Sequence, residues 1–196
     1  MRFITNMNSI NFTARLVSSP TIQQRNFISW KPYGVSIVEL DSAHSDDIRA
    51  LEEVSDNWCK NGGKYADDIF LSAIPELKSS CITGIKDHFY ALTTQKKNFE
   101  KIDPYDILGL MLFQEKNDNT NEIALLEVNP STSKSKNNIV RKYKEVGKAL
   151  VEFVKSKFSH RDIDVLSDHK AIDFYKKVGF QQKSRNIDIL CWRALK

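Results

Sequence analysis

The sequence predicts a mixed α/β domain with a mainly antiparallel central sheet flanked by helices. Alternating, branched segments read as strands, and apolar residues recur at i, i+3 and i+4 in other segments. The order is strand, two helices, three strands, helix, strand, helix, strand, which suits a mixed α/β domain with a right-handed crossover. A chain of 196 residues supports one core and is short for two, so residues 35–196 are taken as a single domain behind an N-terminal arm, residues 1–34.

Residues 35–40, within GVSIVEL, form the opening strand. Ser45 ahead of Asp46 and Asp47, with Ile48, Leu51 and Val54 at helical spacing, predicts a capped helix to about Cys59, ended by Asn61-Gly62-Gly63. A second helix is expected over 67–77, shortened by Pro75. Residues 88–94, 107–114 and 122–128 read as a three-strand meander. The last of these, EIALLEV, is apolar enough to suggest burial on both faces. A polar, basic loop over 129–138 leads into a long helix beginning near Tyr143 and carrying Val146, Leu150, Phe153, Val154 and Phe158. A short strand follows at 163–166. The next helix spans about 168–178, with Ala171, Phe174, Tyr175 and Val178 on one stripe and Gly179 as its stop, and a strand at 186–192 closes the domain.

Composition narrows the function. With 41% hydrophobic and 28% charged residues the chain is neither disordered nor fibrous. The net charge of +4 favours an anionic ligand without requiring nucleic acid. Cys59, Cys81 and Cys191 are widely spaced and form no C-x-x-C pair, which fits a reducing compartment and small core side chains. No apolar run reaches the ~20 residues of a membrane span, and no signal peptide is read, so a cytoplasmic location is expected. The first acidic residue is Glu39, and Arg2, Arg15, Arg25 and Lys31 give the opening stretch some transit-peptide character; the plainer reading is an arm ordered by Phe12, Phe27 and Trp30. His44, His88, His160 and His169 show no metal-ligand spacing, and no Walker, G-x-S-x-G or G-x-G-x-x-G motif occurs.

The start of the long helix is a candidate anion site, because exposed backbone N–H groups meet the charges of Lys134, Lys136, Arg141, Lys142, Lys144 and Lys148. The plain alternative is a solvated basic face. Here the chain resembles the GNAT acetyltransferases: EIALLEVNP, YKEVGKALVEFVKSKF, IDVLSD and HKAIDFYKKVGF are similar to that family's acetyl-CoA core. Val128 and Pro130 match its V-x-P. Asp168, Ala171, Phe174, Tyr175, Gly179 and Phe180 match N-x-x-A-x-x-F-Y-x-x-x-G-F, with Asp in the Asn place. For Q/R-x-x-G-x-G/A, the preferred register sets Lys142 at the Gln/Arg position and Glu145 at the first Gly; the other makes Gly147 the first Gly, flanked by Lys144 and Ala149.

The resemblance implies a sheet whose fourth and fifth strands splay apart, and acetyl-CoA as donor with no metal. It implies pantetheine between those strands, beside Leu126 and Val128, with the pyrophosphate on the backbone of Tyr143, Lys144, Glu145, Val146, Gly147 and Lys148, near Lys142 and Ala149. Asp168, Ala171 and Phe174 complete the implied cofactor set. Tyr175 matches the acid that protonates the departing thiolate, and either Glu127 or Glu122 is the implied base, the two pointing to opposite faces by simple strand parity. A Glu145 carboxylate beside phosphate would be repelled by ~3 kcal/mol. The acceptor is a small amine, a protein or peptide amine, or an aminoacyl group, so nucleic acid is a partner only as aminoacyl-tRNA; no membrane is implied, and monomer and homodimer stay open. Trp58, Tyr65, Asp67 and Asp68 are candidates for the acceptor pocket. A non-catalytic acyl-CoA-binding module with the same fold is the alternative reading.

Overall fold

The computed structural model describes residues 14–41, 44–61, 85–116, 120–132, 141–184 and 187–194. The expected helix over 67–77, and with it Tyr65, Asp67 and Asp68, lies outside the described residues, as do Phe12, Cys81, Lys134 and Lys136.

Eight strands make the main sheet, in the order β1 (Arg15–Ser18), β4 (Ser36–Leu40), β5 (Lys86–Thr93), β6 (Ile107–Glu115), β7 (Thr120–Val128), β9 (Asp162–Leu166), β11 (Ile187–Trp192) and β10 (Gln181–Ser184). Every neighbouring pair is antiparallel except β7 and β9, which run parallel. The meander and the parallel crossover both match the expected element order. A smaller sheet joins β3 (Ser29–Gly34), β2 (Thr21–Asn26) and β8 (Tyr143–Lys144). Residues 15–34, read from the sequence as an arm, thus contain three strands, one of which extends the main sheet. Alternation there is too short and too polar to announce strands: RLVS, TIQQRN and SWKPYG bury little of their own surface. Phe27 does not order this segment against the domain; it is 93% exposed, at φ 43° in the tip of the β2–β3 hairpin.

Helices cover both faces of the main sheet. On one face α1 (Ser45–Lys60) sets Leu51, Val54 and Trp58 against Val38, Phe89, Ala91, Leu110 and Leu112. Trp58 is therefore part of the core rather than of an acceptor pocket, with only 1% of its surface exposed. The start of α1 also differs from expectation. Its N-cap is His44, no side chain caps it, and Asp47 instead accepts a hydrogen bond from the backbone N–H of Asp41 at 2.9 Å. On the other face, α2 (Val146–Lys157) and α3 (Ile172–Lys177) bury Val146, Leu150, Val154 and Tyr175 against Tyr90, Leu92, Met111 and Ile163. The strands present alternate residues to these two cores, the period-two geometry that makes one sheet serve both.

A charged group ties the lower end of the sheet to the end of α2. Each ring nitrogen of buried His88 lies against a carboxylate, Nδ1 at 2.5 Å from Glu39 and Nε2 at 2.6 Å from Glu115. Burial alone would raise the Glu39 carboxyl, but hydrogen bonds from His88 and Arg15 and the charge of Lys157 bring it down to about 2. Lys157 also donates to the Tyr90 hydroxyl at 2.7 Å.

Gly109 decides how closely α2 approaches the sheet. A Cβ built there would sit 2.7 Å from Val146 Cγ1 and 3.1 Å from Leu150 Cδ1, both side chains of the first turns of α2. Gly109→Ala is expected to push that helix start outward and lower the unfolding free energy by roughly 1–3 kcal/mol, the usual cost of overpacking, as read by urea denaturation. An unchanged midpoint would show that α2 does not rest on β6 at this point.

Candidate active site

The site begins where two strands part. β9 pairs with β7 only from Thr120↔Asp162 to Ile123↔Val165, yet β7 runs on to Val128. Over Ala124–Val128 one edge of β7 faces a gap instead of a neighbouring strand. EIALLEV is accordingly only partly buried along its second half, not covered on both faces, because its apolar residues line an opening. The ladder to β6 also shifts within this strand: Leu112 pairs with Leu125 but Phe113 pairs with Ile123, leaving Ala124 as the extra residue of a bulge. The bulge alters the parity argument. Glu122 pairs with Gln114 and Glu127 with Leu110, positions of equal parity on β6, so the two glutamates share one face of the sheet.

The gap opens into two adjoining cavities. The first, about 590 Å³, runs from Leu126, Glu127 and Val128 across Ala171, Phe174 and Tyr175 to Lys144, Glu145, Val146, Gly147 and Lys148. The second, about 490 Å³, lies between Ile123–Glu127 and Val165–Asp168, with Ala171, Tyr175 and Asp188. Leu126, Glu127, Ala171 and Tyr175 line both. Of the sequence candidates, Lys142, Tyr143 and Ala149 do not line the first cavity, and Asp168 lines the second. Tyr143 is buried, its ring 5.8 Å from that of Tyr33. Glu122 lines neither cavity; it pairs with Lys116 near the start of β7.

The far end of the first cavity is the start of α2. The helix begins at Val146 rather than at Tyr143, because Tyr143–Lys144 is drawn into a strand with β2, pairing Gln23↔Lys144 and Gln24↔Tyr143. Its first intrahelical bond runs from the N–H of Ala149 to the carbonyl of Glu145 at 2.9 Å, and no side chain caps the end. The amides of the preceding residues therefore carry the positive end of the helix dipole toward the cavity. Gly147 lies on this surface between two cavity walls: a Cβ there would be in contact with Phe174 Cζ at 3.4 Å and Val128 Cγ1 at 3.7 Å. Glu145 adopts φ 68°, ψ 14°, left-handed backbone that glycine takes at little cost and glutamate does not. This bears on the motif register, since the residue aligned with the family's first Gly has glycine's backbone.

Tyr175 stands at the junction of the cavities, 5% exposed, its ring 5.0 Å from Phe174 and 5.5 Å from Phe180. Burial, and then the nearby charge of Glu127, raise the phenol above its ordinary value, so it keeps its proton throughout the neutral range. The helix that carries it is shorter than the stripe suggested. Residues 168–171 form a turn instead, closed by the N–H of Ala171 on the Asp168 carbonyl at 2.8 Å and by Lys170 N–H on Asp168 Oδ1 at 2.9 Å. Asp168 thus turns Oδ1 toward the local backbone, as Asp does at helix entries, and the same oxygen lies 3.0 Å from His169 Nδ1.

Several contributors carried no motif: Gly109 beneath α2, Thr132 and Lys177 on the first cavity wall, Asp188 on the second, and the bulge at Ala124. Only the lone Gly within the apolar run ILGLMLFQ was a usable signal, since glycine in a strand marks close approach.

Solved structures share this architecture. A putative N-acetyltransferase from Lactobacillus plantarum superposes with a TM-score of 0.55 at 13% identity, over 82% of this chain and 99% of that one. The chain has the GNAT fold. Two further matches are a GNAT-family acetyltransferase from Staphylococcus aureus, with TM-score 0.49, 17% identity and coverage of 81% and 98%, and Tetrahymena GCN5, with TM-score 0.47, 15% identity and coverage of 81% and 94%. No family model matches the sequence, and no curated protein does. In this GNAT fold the gap between β7 and β9 is the splay between the fourth and fifth strands that the resemblance implied. No helix among the described residues is long and apolar enough to cross a membrane.

The strained backbone at Glu145 yields a measurable expectation. Glu145→Gly should raise the unfolding free energy by about 1 kcal/mol, the left-handed penalty less the extra chain entropy of glycine, and so raise the thermal midpoint by a few degrees. A midpoint that falls would mean that the Glu145 side chain contributes more than its backbone costs.

Proposed function

We propose that the protein is an acyl-CoA-dependent N-acetyltransferase in which coenzyme A occupies the first cavity and an amine enters through the second. The observation that carries this reading is that Tyr175 and Glu127 line both cavities at the point where β7 and β9 part. A group bridging the two spaces would meet an acid and a carboxylate together.

The residues fit the cofactor. Unsatisfied amides at the start of α2, with Lys144 and Lys148 on the same wall, suit a pyrophosphate. The gap beside Leu126 and Val128 suits pantetheine, whose amides could take up the backbone groups that β9 leaves on the edge of β7. When bound, acetyl-CoA supplies an activated thioester. Everything else falls to the chain. Tyr175 is buried and protonated, and it would give its proton to the departing sulfur. Glu127 would take the proton from the acceptor nitrogen. An unperturbed alkylamine of pKa ~10.4 costs about 4–5 kcal/mol to neutralise at pH 7, so a base in reach matters. Glu122, held by Lys116 away from both cavities, is the poorer candidate for that role.

The second cavity indicates the charge of the acceptor. Glu127, Asp168 and Asp188 all contribute to its lining, which favours a cationic amine over an acid or a neutral alcohol.

Tyr175→Phe separates binding from chemistry. The ring still fills its place between Phe174 and Phe180, so stability and coenzyme A affinity measured by calorimetry should hold. Turnover of an amine identified by intact-mass screening should fall by roughly 10²-fold, the usual contribution of a positioned acid. Normal turnover would remove Tyr175 from the mechanism, and joint loss of binding and stability would make it a packing residue only.

A further inference from the structure

The β2–β3 hairpin is joined to the short strand that borders the first cavity at Lys144, and nothing in the chemistry above uses it. Its attachment is direct: β2 pairs with Tyr143–Lys144, and the N–H of Arg25 donates to the carbonyl of Lys142 at 2.8 Å. The strand that leads into α2 is thereby fixed by the hairpin.

The two faces of the hairpin differ. Ile22, Tyr33 and Tyr143 turn inward and join the α2-side core. Arg25 and Trp30 are cross-strand partners and so share one face, and Gln23, two residues from Arg25 on that face, is the partner of Lys144. Trp30 is partly exposed, with Lys144 Nζ 3.7 Å and Arg141 Cζ 5.7 Å from its ring centroid. Cations over an indole are held by the ring's electron-rich face, which keeps both charges beside aromatic surface. Among the described residues no carboxylate pairs with Arg25 or Arg141. Arg141 and Lys144 also line the first cavity, so the patch is its outward continuation beyond the start of α2.

Positive charge beside a flat aromatic ring matches a phosphorylated purine. Coenzyme A carries one at the end opposite its thiol, with a 3′-phosphate on the ribose. We propose that the β2–β3 hairpin holds the nucleotide end of coenzyme A, with Arg25 and Arg141 drawing the 3′-phosphate and Trp30 offering the adenine an aromatic face. The proposal rests on the reading of the first cavity as the coenzyme A site, and it assigns to this chain's own hairpin the selection of the phosphorylated form. Bidentate guanidinium contacts to phosphate are strong and geometrically selective, which suits arginines to such discrimination.

Calorimetric titration with coenzyme A and with 3′-dephospho-coenzyme A tests it without any need for an acceptor. Wild-type protein should bind coenzyme A roughly tenfold or more tightly than the dephospho form, a difference of about 1.4 kcal/mol. In the double variant Arg25→Gln, Arg141→Gln, the preference for coenzyme A over the dephospho form should disappear, the two ligands binding equally. Trp30→Ala should weaken both ligands, and thermal melts establish that each variant is folded. Equal binding of the two ligands by the wild type overturns the hairpin's role while leaving the cavity assignment standing. Failure of the wild type to bind coenzyme A at all overturns both.

Discussion

Everything at the site depends on β7 and β9 ceasing to pair after Ile123 and Val165. A sheet interior normally satisfies the N–H and C=O groups of both strand edges, and leaving them open costs free energy unless water or a ligand takes the place of the missing strand. The protein pays this cost over the last residues of β7, and gains an opening through the middle of an otherwise continuous eight-stranded sheet. The parallel pairing below the gap keeps the two halves in register, and the charged group around His88 ties the other half of the sheet to α2.

The opening would be featureless without three local departures from regular geometry. The bulge at Ala124 resets the alternation of β7 and brings Glu127 to the face it shares with Glu122. Gly109 lets the first turn of α2 settle onto β6. The left-handed backbone at Glu145 turns the chain from a short strand directly into that helix, so that its amides face the cavity without a capping side chain. Strained or irregular backbone held by good packing around it is common at functional sites. Here each irregularity has a geometric result that can be named.

The sequence made the central elements legible and left the modifications of them hidden. Long alternating or helical stripes, such as ILGLMLFQ and the run from Val146 to Phe158, announce themselves because burial enforces their periods. The aromatic stripe Phe174-Tyr175 was visible for the same reason, together with its similarity to a known motif. The hairpin was not, since TIQQRN and SWKPYG are mostly polar and gain order from pairing with a strand more than a hundred residues away, as Gln24↔Tyr143 shows. Strand parity between Glu122 and Glu127 misled for a local reason: an inserted bulge residue leaves no mark in composition. The start of α2 moved three residues from its expected place because β2 competes for Tyr143 and Lys144, a tertiary effect that helix propensity cannot register.

In the proposed function the gap and the start of α2 together form one acyl-CoA site. Amide NMR spectra of the protein titrated with coenzyme A test it most directly, because they report each backbone group separately. Saturable shifts are expected at Leu126–Val128 and at Val146, Gly147 and Lys148, with the amides of α1 on the opposite face unmoved. Saturable shifts centred on another surface, or a spectrum unchanged at millimolar coenzyme A, would contradict it.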